Sequence, residues 1–290
     1  MGSGWLSYIQ HLRPMSFPIE FLHMITGLAI GYVLFPVDVP LWRILLGIFV
    51  YVVLLNGGTL AYNSSFDNDE GDIGWLDSPP AKPRGLVLFS LIIHFVGFLL
   101  CALINVRFFI GGVIIILLSL AYSGPPLYLK RRPWFDFFIN AIGYGSLVLY
   151  MGYALLDLQL TLTISVILSM IFILWGAGYL LTQLYQYSSD RRNKYRTTAQ
   201  VLGIRGVFIF AIASAALLLG LVVYSSISGI IPFITLIFMA PLFCYGAYYL
   251  FSWKNFFKKR NAKHLMYRGY ILVALFDVFL FLAFVVDGFL

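Results

Sequence analysis

Hydrophobic positions along this chain come in long unbroken runs, without the period-two alternation of half-buried strands. A run of roughly 20 mostly apolar residues is what a helix needs to cross a bilayer. Nine such runs stand out, near 19–37, 41–62, 86–105, 108–124, 134–156, 160–186, 206–225, 229–251 and 267–287. The connections between them are short, and none is long and polar enough to separate two domains. Residues 1–290 therefore read as a single all-α transmembrane domain. Ahead of the first run, Trp5, Tyr8, Ile9 and Leu12 recur at helical spacing. Residues 1–18 fit an amphipathic helix lying in the membrane interface, and a frayed terminus fits equally well.

Composition strengthens this picture. The chain is 61% hydrophobic and 11% charged, against about 25% charged residues in a soluble domain. Lipid must be the solvent for most of such a surface. Cys101 and Cys244 both lie in apolar runs, far from any His or second Cys at ligand spacing, so they read as small core residues, not as a disulfide or zinc site. His11, Arg13 and Pro14 precede the first long run and no small-residue cleavage site follows, unlike a cleaved signal peptide.

The charges that interrupt the runs set an orientation. Seventeen of the nineteen Lys and Arg fall in the amino-terminal segment and the even-numbered connections, and only Arg43 and Arg107 fall on the other side. Cytoplasmic loops carry the positive excess. The expectation is a cytoplasmic amino terminus and, with nine spans, a carboxyl terminus outside. The net charge of +7 follows from this topology without any nucleic acid. It also suits anionic headgroups or a phosphorylated substrate.

The acids are distributed differently. Of twelve, five crowd the connection after the second run: Asp67, Asp69, Glu70, Asp72 and Asp77. Such crowding is repulsive unless protons or cations intervene. The bland reading is a solvated acidic loop, but the other connections on this side are basic, and this one continues a polar stripe. Asn56, Thr59, Asn63 and Asp67 fall at i, i+3, i+7 and i+11, one face of a helix. Gln183, Gln186 and Asp190 repeat the pattern at i, i+3 and i+7 near the end of the sixth run. Polar groups on membrane helices face a bundle interior or a wet cavity. Both helices run outside to inside, so the two stripes are expected to converge on one chamber at the cytoplasmic face. Clustered oxygens suit a hard cation, and Mg²⁺ is typically held by one or two carboxylates plus substrate phosphates. Lys82, Arg84, Lys130, Arg131, Arg132, Arg191, Arg192, Lys194 and Arg196 surround the two stripes. Carboxylates for metal and Arg or Lys for phosphate oxygens are the two halves of a diphosphate site.

Four segments resemble the UbiA superfamily of intramembrane prenyltransferases. Asn63 and Asp67, with Asp69 and Asp72 after them, match its first Asp-rich motif. Tyr122-Ser-Gly-Pro-Pro-Leu-Tyr-Leu-Lys130 resembles its Tyr-Ser-x-Pro-Pro-x-x-Leu-Lys segment. Asp190-Arg-Arg, and Arg196-Thr-Thr-Ala-Gln-Val-Leu-Gly203 after it, resemble the second motif and its tail. The sequence departs at Gln183, where the family often has an aspartate, and Gln186 also stands among positions that are often acidic.

The resemblance implies nine helices bundled around a central cavity, and a Mg²⁺-dependent enzyme that ionises an isoprenyl diphosphate and transfers the prenyl group to a hydrophobic acceptor. Asp67, Asp69, Asp72 and Asp190 would hold the metal. Asn63, Lys82, Arg84, Tyr122, Arg131, Gln183, Gln186 and Arg196 would bind the diphosphate, and Asp67, Asp190 and Lys130 would be catalytic. A terpene cyclase of the same type, in which the prenyl chain traps its own cation, is the alternative. A transporter would instead place polar sites near the bilayer midplane. Glu20 and His23, one turn apart, are expected either to reach the chamber or to snorkel; His94 and Asp277 are isolated functional candidates for which a helix-to-helix hydrogen bond fits at least as well, and Asp136 reads as an ordinary first-turn charge.

Overall fold

The computed structural model describes residues 4–67, 76, 79–192, 194–256 and 262–289. Its regular elements are helices: α1 (Trp5–His11), α2 (Phe17–Leu34), α3 (Leu41–Phe66), α4 (Leu86–Cys101), α5 (Val106–Ser123), α6 (Phe135–Ala154), α7 (Leu162–Arg192), α8 (Thr198–Ile227), α9 (Thr235–Phe256) and α10 (Ala262–Phe289). Among the described residues, eight helical stretches are long and apolar enough to cross a membrane. The remaining apolar run is α4, whose 16 residues span about 24 Å, short of the roughly 30 Å hydrocarbon core. The chain is an integral, multi-pass, all-helical membrane protein.

Local chemistry explains where the helices break. Between α1 and α2, Arg13 takes a left-handed conformation (φ 53°) and Pro14 follows, so the amino-terminal helix does not simply continue into the first span. The side chain of Asn105 caps α5 by accepting the Phe108 N–H at 2.8 Å. Thr197 caps α8 by accepting the Gln200 N–H at 3.4 Å. Within α8, Gly203 (φ 68°) interrupts the helical backbone, a conformation only glycine adopts without strain. Two helices carry π-helical stretches, Val50–Asn56 in α3 and Ala141–Ser146 in α6, a geometry that recurs at functional sites.

The chain forms two compact units, one of residues 1–28, 37–129 and 150–158, the other of 29–36, 130–149 and 159–290. In the first unit, Leu12, Ala61 and Leu86 form a small core covered by Tyr8, Phe17, Phe89 and Ile93. It ties α1 to α3 and α4. Gly152 lies so close to α2 that a Cβ would fall 1.7 Å from the Met24 carbonyl oxygen, so only glycine permits this approach. In the second unit, α7 runs against α8, α10 and the π-helical stretch of α6. Phe137 meets Phe172 and Phe210 edge to face, with ring centroids 5.9 and 5.4 Å apart.

Several expectations change here. Cys244 is exposed, so it is not a core residue, whereas Cys101 is buried as expected. Glu20 and His23 do not snorkel: both are buried, and Glu20 accepts a 3.0 Å hydrogen bond from Tyr51 Oη. A buried carboxylate is retained where it is paired. His94 bonds across to another helix as expected, with Nε2 3.4 Å from Thr59 Oγ1.

Candidate active site

The first carboxylate stripe lies on α3. The helix ends at Phe66, and Asp67 is its extended cap residue (φ −89°, ψ 138°), half-buried, its N–H bonded back to Asn63 O at 3.2 Å. The stripe does not turn toward a single neighbour. Asn56, which closes the π-helical stretch, donates to Ser16 Oγ at 3.5 Å. Thr59 faces His94 on α4, and Asn63 Oδ1 accepts from Ser123 Oγ on α5 at 2.9 Å. Ser123 is the residue after Tyr122, so the first motif and the Tyr-Ser-Gly-Pro-Pro segment are in direct contact. Tyr122 itself is half-buried. Asp69 and Asp72, assigned to the metal from sequence, lie outside the described residues.

Lys82 reaches back to this corner and donates to the Asp67 carbonyl oxygen. The segment that carries it is strapped by α1: Ser7 Oγ donates to Ala81 O at 3.1 Å and Tyr8 Oη to Arg84 O at 2.5 Å. Both Lys82 and Arg84 are exposed. Sequence reasoning took α1 as either an interfacial helix or a frayed terminus and missed this contact. Ser7 and Tyr8 stand beside Gln10 and His11 in this seven-residue helix, so no local pattern singled them out.

The second stripe lies on α7, which extends through Asp190 to Arg192, beyond the apolar run that suggested it. Asp190 is therefore helical and buried (9% exposed). Its carbonyl accepts the Tyr195 N–H at 2.9 Å and closes the turn that follows. Gln183 Nε2 donates to Tyr179 Oη at 2.9 Å, while its Oε1 is buried with no hydrogen-bond partner among the described residues. Gln186 and Arg196 are exposed, and Lys130 is buried. Arg131 stacks its guanidinium 4.3 Å above the Tyr195 ring and donates from Nη2 to Tyr195 Oη at 3.0 Å.

Asp136 is no ordinary first-turn charge. It is fully buried, accepts from the Thr198 N–H at 2.9 Å on Oδ2, and accepts from Thr198 Oγ1 on Oδ1. The sequence showed an acid at a helix start and two threonines after Arg196, but gave no sign that Asp136 and Thr198 meet.

Among the described residues, no three His, Cys, Asp or Glu side chains gather into a metal-holding group. What each unit does hold is hard oxygen donors with cations nearby in the chain or fold: Asp67, whose carbonyl is bonded by Lys82, and Asn63 in one, and Asp190 and the Gln183 amide oxygen in the other, where Asp190 is followed by Arg191 and Arg192 and its carbonyl is bonded by Tyr195, the residue on which Arg131 stacks.

Comparison with known proteins agrees with the sequence resemblance. No curated protein matches the chain. Among solved structures, a UbiA homologue from Archaeoglobus fulgidus bound to DMAPP and Mg²⁺ is 20% identical, over 97% of this chain and 99% of its own, with a TM-score of 0.71. The same homologue bound to GPP and Mg²⁺ gives 19%, 96%, 99% and 0.71. A structure of digeranylgeranylglyceryl phosphate synthase gives 18%, 98%, 98% and 0.69. At such identities the likeness speaks for the fold. The family model described as the UbiA prenyltransferase family matches residues 24–283, nearly the whole chain, and the protein belongs to that family.

Proposed function

We propose that this protein is a Mg²⁺-dependent intramembrane prenyltransferase, with residues 1–290 forming one domain of nine spans and its active site on the cytoplasmic side. The observation that carries this reading is that two spanning helices of a UbiA-family chain each bring an aspartate to their carboxyl-terminal end, Asp67 as the cap of α3 with Lys82 bonded to its carbonyl, and Asp190 in the last turn of α7 just before Arg191 and Arg192. The likeness to homologues bound to DMAPP or GPP with Mg²⁺ supports an isoprenyl diphosphate as the first substrate.

The donor set fits the metal. Carboxylates and amide oxygens suit a hard divalent cation, and the orphaned Gln183 Oε1 is an oxygen in want of a cation or donor. Asp67, Asp69, Asp72 and Asp190 are the carboxylates for Mg²⁺, oriented by Asn63, Gln183 and Gln186. When bound, Mg²⁺ offsets the charge of the departing diphosphate. Lys82, Arg84, Lys130, Arg131 and Arg196, with the Tyr122 hydroxyl, donate to phosphate oxygens and hold the leaving group in place. The allylic carbon–oxygen bond breaks with its electron pair going to the diphosphate. The acceptor then supplies the pair for the new bond and loses a proton. The surrounding apolar helices exclude the water that would otherwise trap the cation.

The test is turnover of C10 to C20 prenyl diphosphates by purified protein with Mg²⁺, with and without lipid extract. Transfer that requires the extract supports this reading. Cyclic hydrocarbon formed without it would replace it by the cyclase. No diphosphate release under either condition, with Mg²⁺ present, would end both.

A further inference from the structure

Asp190 ends a helix at the pole where free carbonyls gather, an unfavourable place for a carboxylate. The seven residues after it must turn the chain into α8, and a turn on its own backbone bonds would leave Asp190 and Arg196 loosely placed. It is held instead from the start of α6. Thr198 Oγ1 accepts the Trp134 N–H at 2.6 Å and donates to Asp136, which also accepts the Thr198 N–H. Polar groups of three residues, Trp134, Asp136 and Thr198, thus meet around two fully buried side chains, Asp136 and Thr198. The Arg131–Tyr195 stack grips the middle of the turn, and Gln200 Nε2, bonded to Tyr187 O at 2.6 Å, ties its two ends together. Gly203 then breaks the helix, so residues 198–202 are a short segment that α8 does not fix by itself.

A buried carboxylate is a poor way to gain stability, because an apolar residue of similar size often does as well. The best-attested use of buried polar groups is to fix register. Here the two carboxylate oxygens accept two bonds from one threonine, which allows that segment a single position. From this we infer that Asp136 is a positioning residue: acting through Thr198, it sets where Asp190 and Arg196 stand when the diphosphate binds. The inference rests on the prenyl diphosphate reading of the second stripe. Asp136 takes no part in bond breaking.

The full chain, purified in lipid nanodiscs, would be compared as wild type, D136N, T198V and T198S. D136N leaves one acceptor and puts an amide N–H₂ against a hydroxyl that must donate. T198V removes the hydroxyl, and T198S keeps it. Three quantities are read: backbone hydrogen exchange over residues 190–202, binding of inorganic pyrophosphate with Mg²⁺, and KM and kcat with geranyl diphosphate. D136N and T198V should speed exchange in that segment and weaken pyrophosphate binding, each by about tenfold. They should raise KM by about the same factor with kcat within about threefold, a factor of ten being about 1.4 kcal/mol. T198S should behave as wild type in all three. Faster exchange with unchanged binding and KM would reduce the contact to a structural one and overturn the proposal, as would a fall in kcat alone or a T198S as impaired as T198V. If D136N does not fold, the T198V and T198S pair decides. A wild type that binds no pyrophosphate would sink the diphosphate reading, whereas unaltered exchange in D136N and T198V would sink the latch with that reading intact.

Discussion

The aspartates that end α3 and α7 are delivered alike, by long spanning helices, and are then held in opposite ways. Asp67 stands one residue past its helix, half-buried and extended, with its carbonyl bonded to an exposed lysine. Its segment is rich in charge: five of the chain's twelve acids lie between residues 67 and 77. Asp190 is still helical and buried, and it is the one acid in its stripe. Around it acids are sparse and geometry is dense, with the turn after it pinned by Asp136, Thr198, Arg131 and Tyr195. On the proposed Mg²⁺ reading, the difference amounts to a division of labour in which the first stripe supplies most of the negative charge and the second supplies fixed direction.

The sharpest way to break that comparison is to remove each acid in turn. D67A and D190A should each lower turnover by roughly a hundred- to a thousandfold, the range seen when one preorganised electrostatic group is removed. The division of labour adds a distinction. D67A should be partly restored by raising Mg²⁺, because neighbouring acids remain, whereas D190A should not. Equal rescue of both, in initial rates against Mg²⁺ concentration, would erase the contrast between the two halves.

Close packing provides the next effect, on stability. Gly152→Ala places a methyl group against the Met24 carbonyl oxygen, a backbone atom that cannot swing aside. Overpacking of this kind costs about 1–3 kcal/mol and occasionally more, so G152A should melt well below wild type. Gly203→Ala in the second unit meets no neighbouring atom but keeps a left-handed backbone, at a cost of about 1–2 kcal/mol. A G203A that melts lower than G152A would reverse the assignment of which unit is sterically tighter at glycine.

Gln183→Asp would make the second stripe more like the first. A second carboxylate four residues above the Tyr187–Asp190 turn should lower the half-saturating Mg²⁺ concentration by roughly tenfold, since ligand charge count tunes affinity for such ions. Unchanged Mg²⁺ dependence in Q183D would mean that the Gln183 oxygen serves the diphosphate or the acceptor and not the metal.

How much of this was legible in the sequence follows from the range of the interactions. The helices announce themselves because bilayer crossing demands long apolar runs, and Asp67 and Asp190 because a stripe along one helix is a local pattern. What stayed hidden depends on which helices touch. Asn63 meeting Ser123, Asp136 meeting Thr198, and Arg131 meeting Tyr195 are each more than 55 residues apart in the chain, and no local rule pairs them. The stripe on α3 likewise gave no sign that its members meet different partners, Asn56 at Ser16, Thr59 at His94 and Asn63 at Ser123. Asp136 was misread for the same reason: its position in the first turn was visible, its burial was not.

The smallest expected effect tests the looser half. Tyr8 and Ser7 on α1 bond to the carbonyls of Arg84 and Ala81 and so hold the segment from which Lys82 reaches Asp67. Replacing Tyr8 by Phe keeps its packing on Phe89, whose ring lies 5.0 Å away, and removes one hydrogen bond, worth about 0.5–1.5 kcal/mol net. Because Arg84 is exposed, water can take the place of the lost hydroxyl, and the effect should lie toward the lower end. Y8F should therefore melt close to wild type and lose no more than about twofold in turnover, against about tenfold in KM for T198V. The contrast follows from burial: a bond that water can replace holds its segment weakly, and a bond sealed among fully buried side chains holds it firmly. If Y8F proved as damaging as T198V, the first unit would depend on fixed geometry as much as the second, and the asymmetry between charge and direction would not stand.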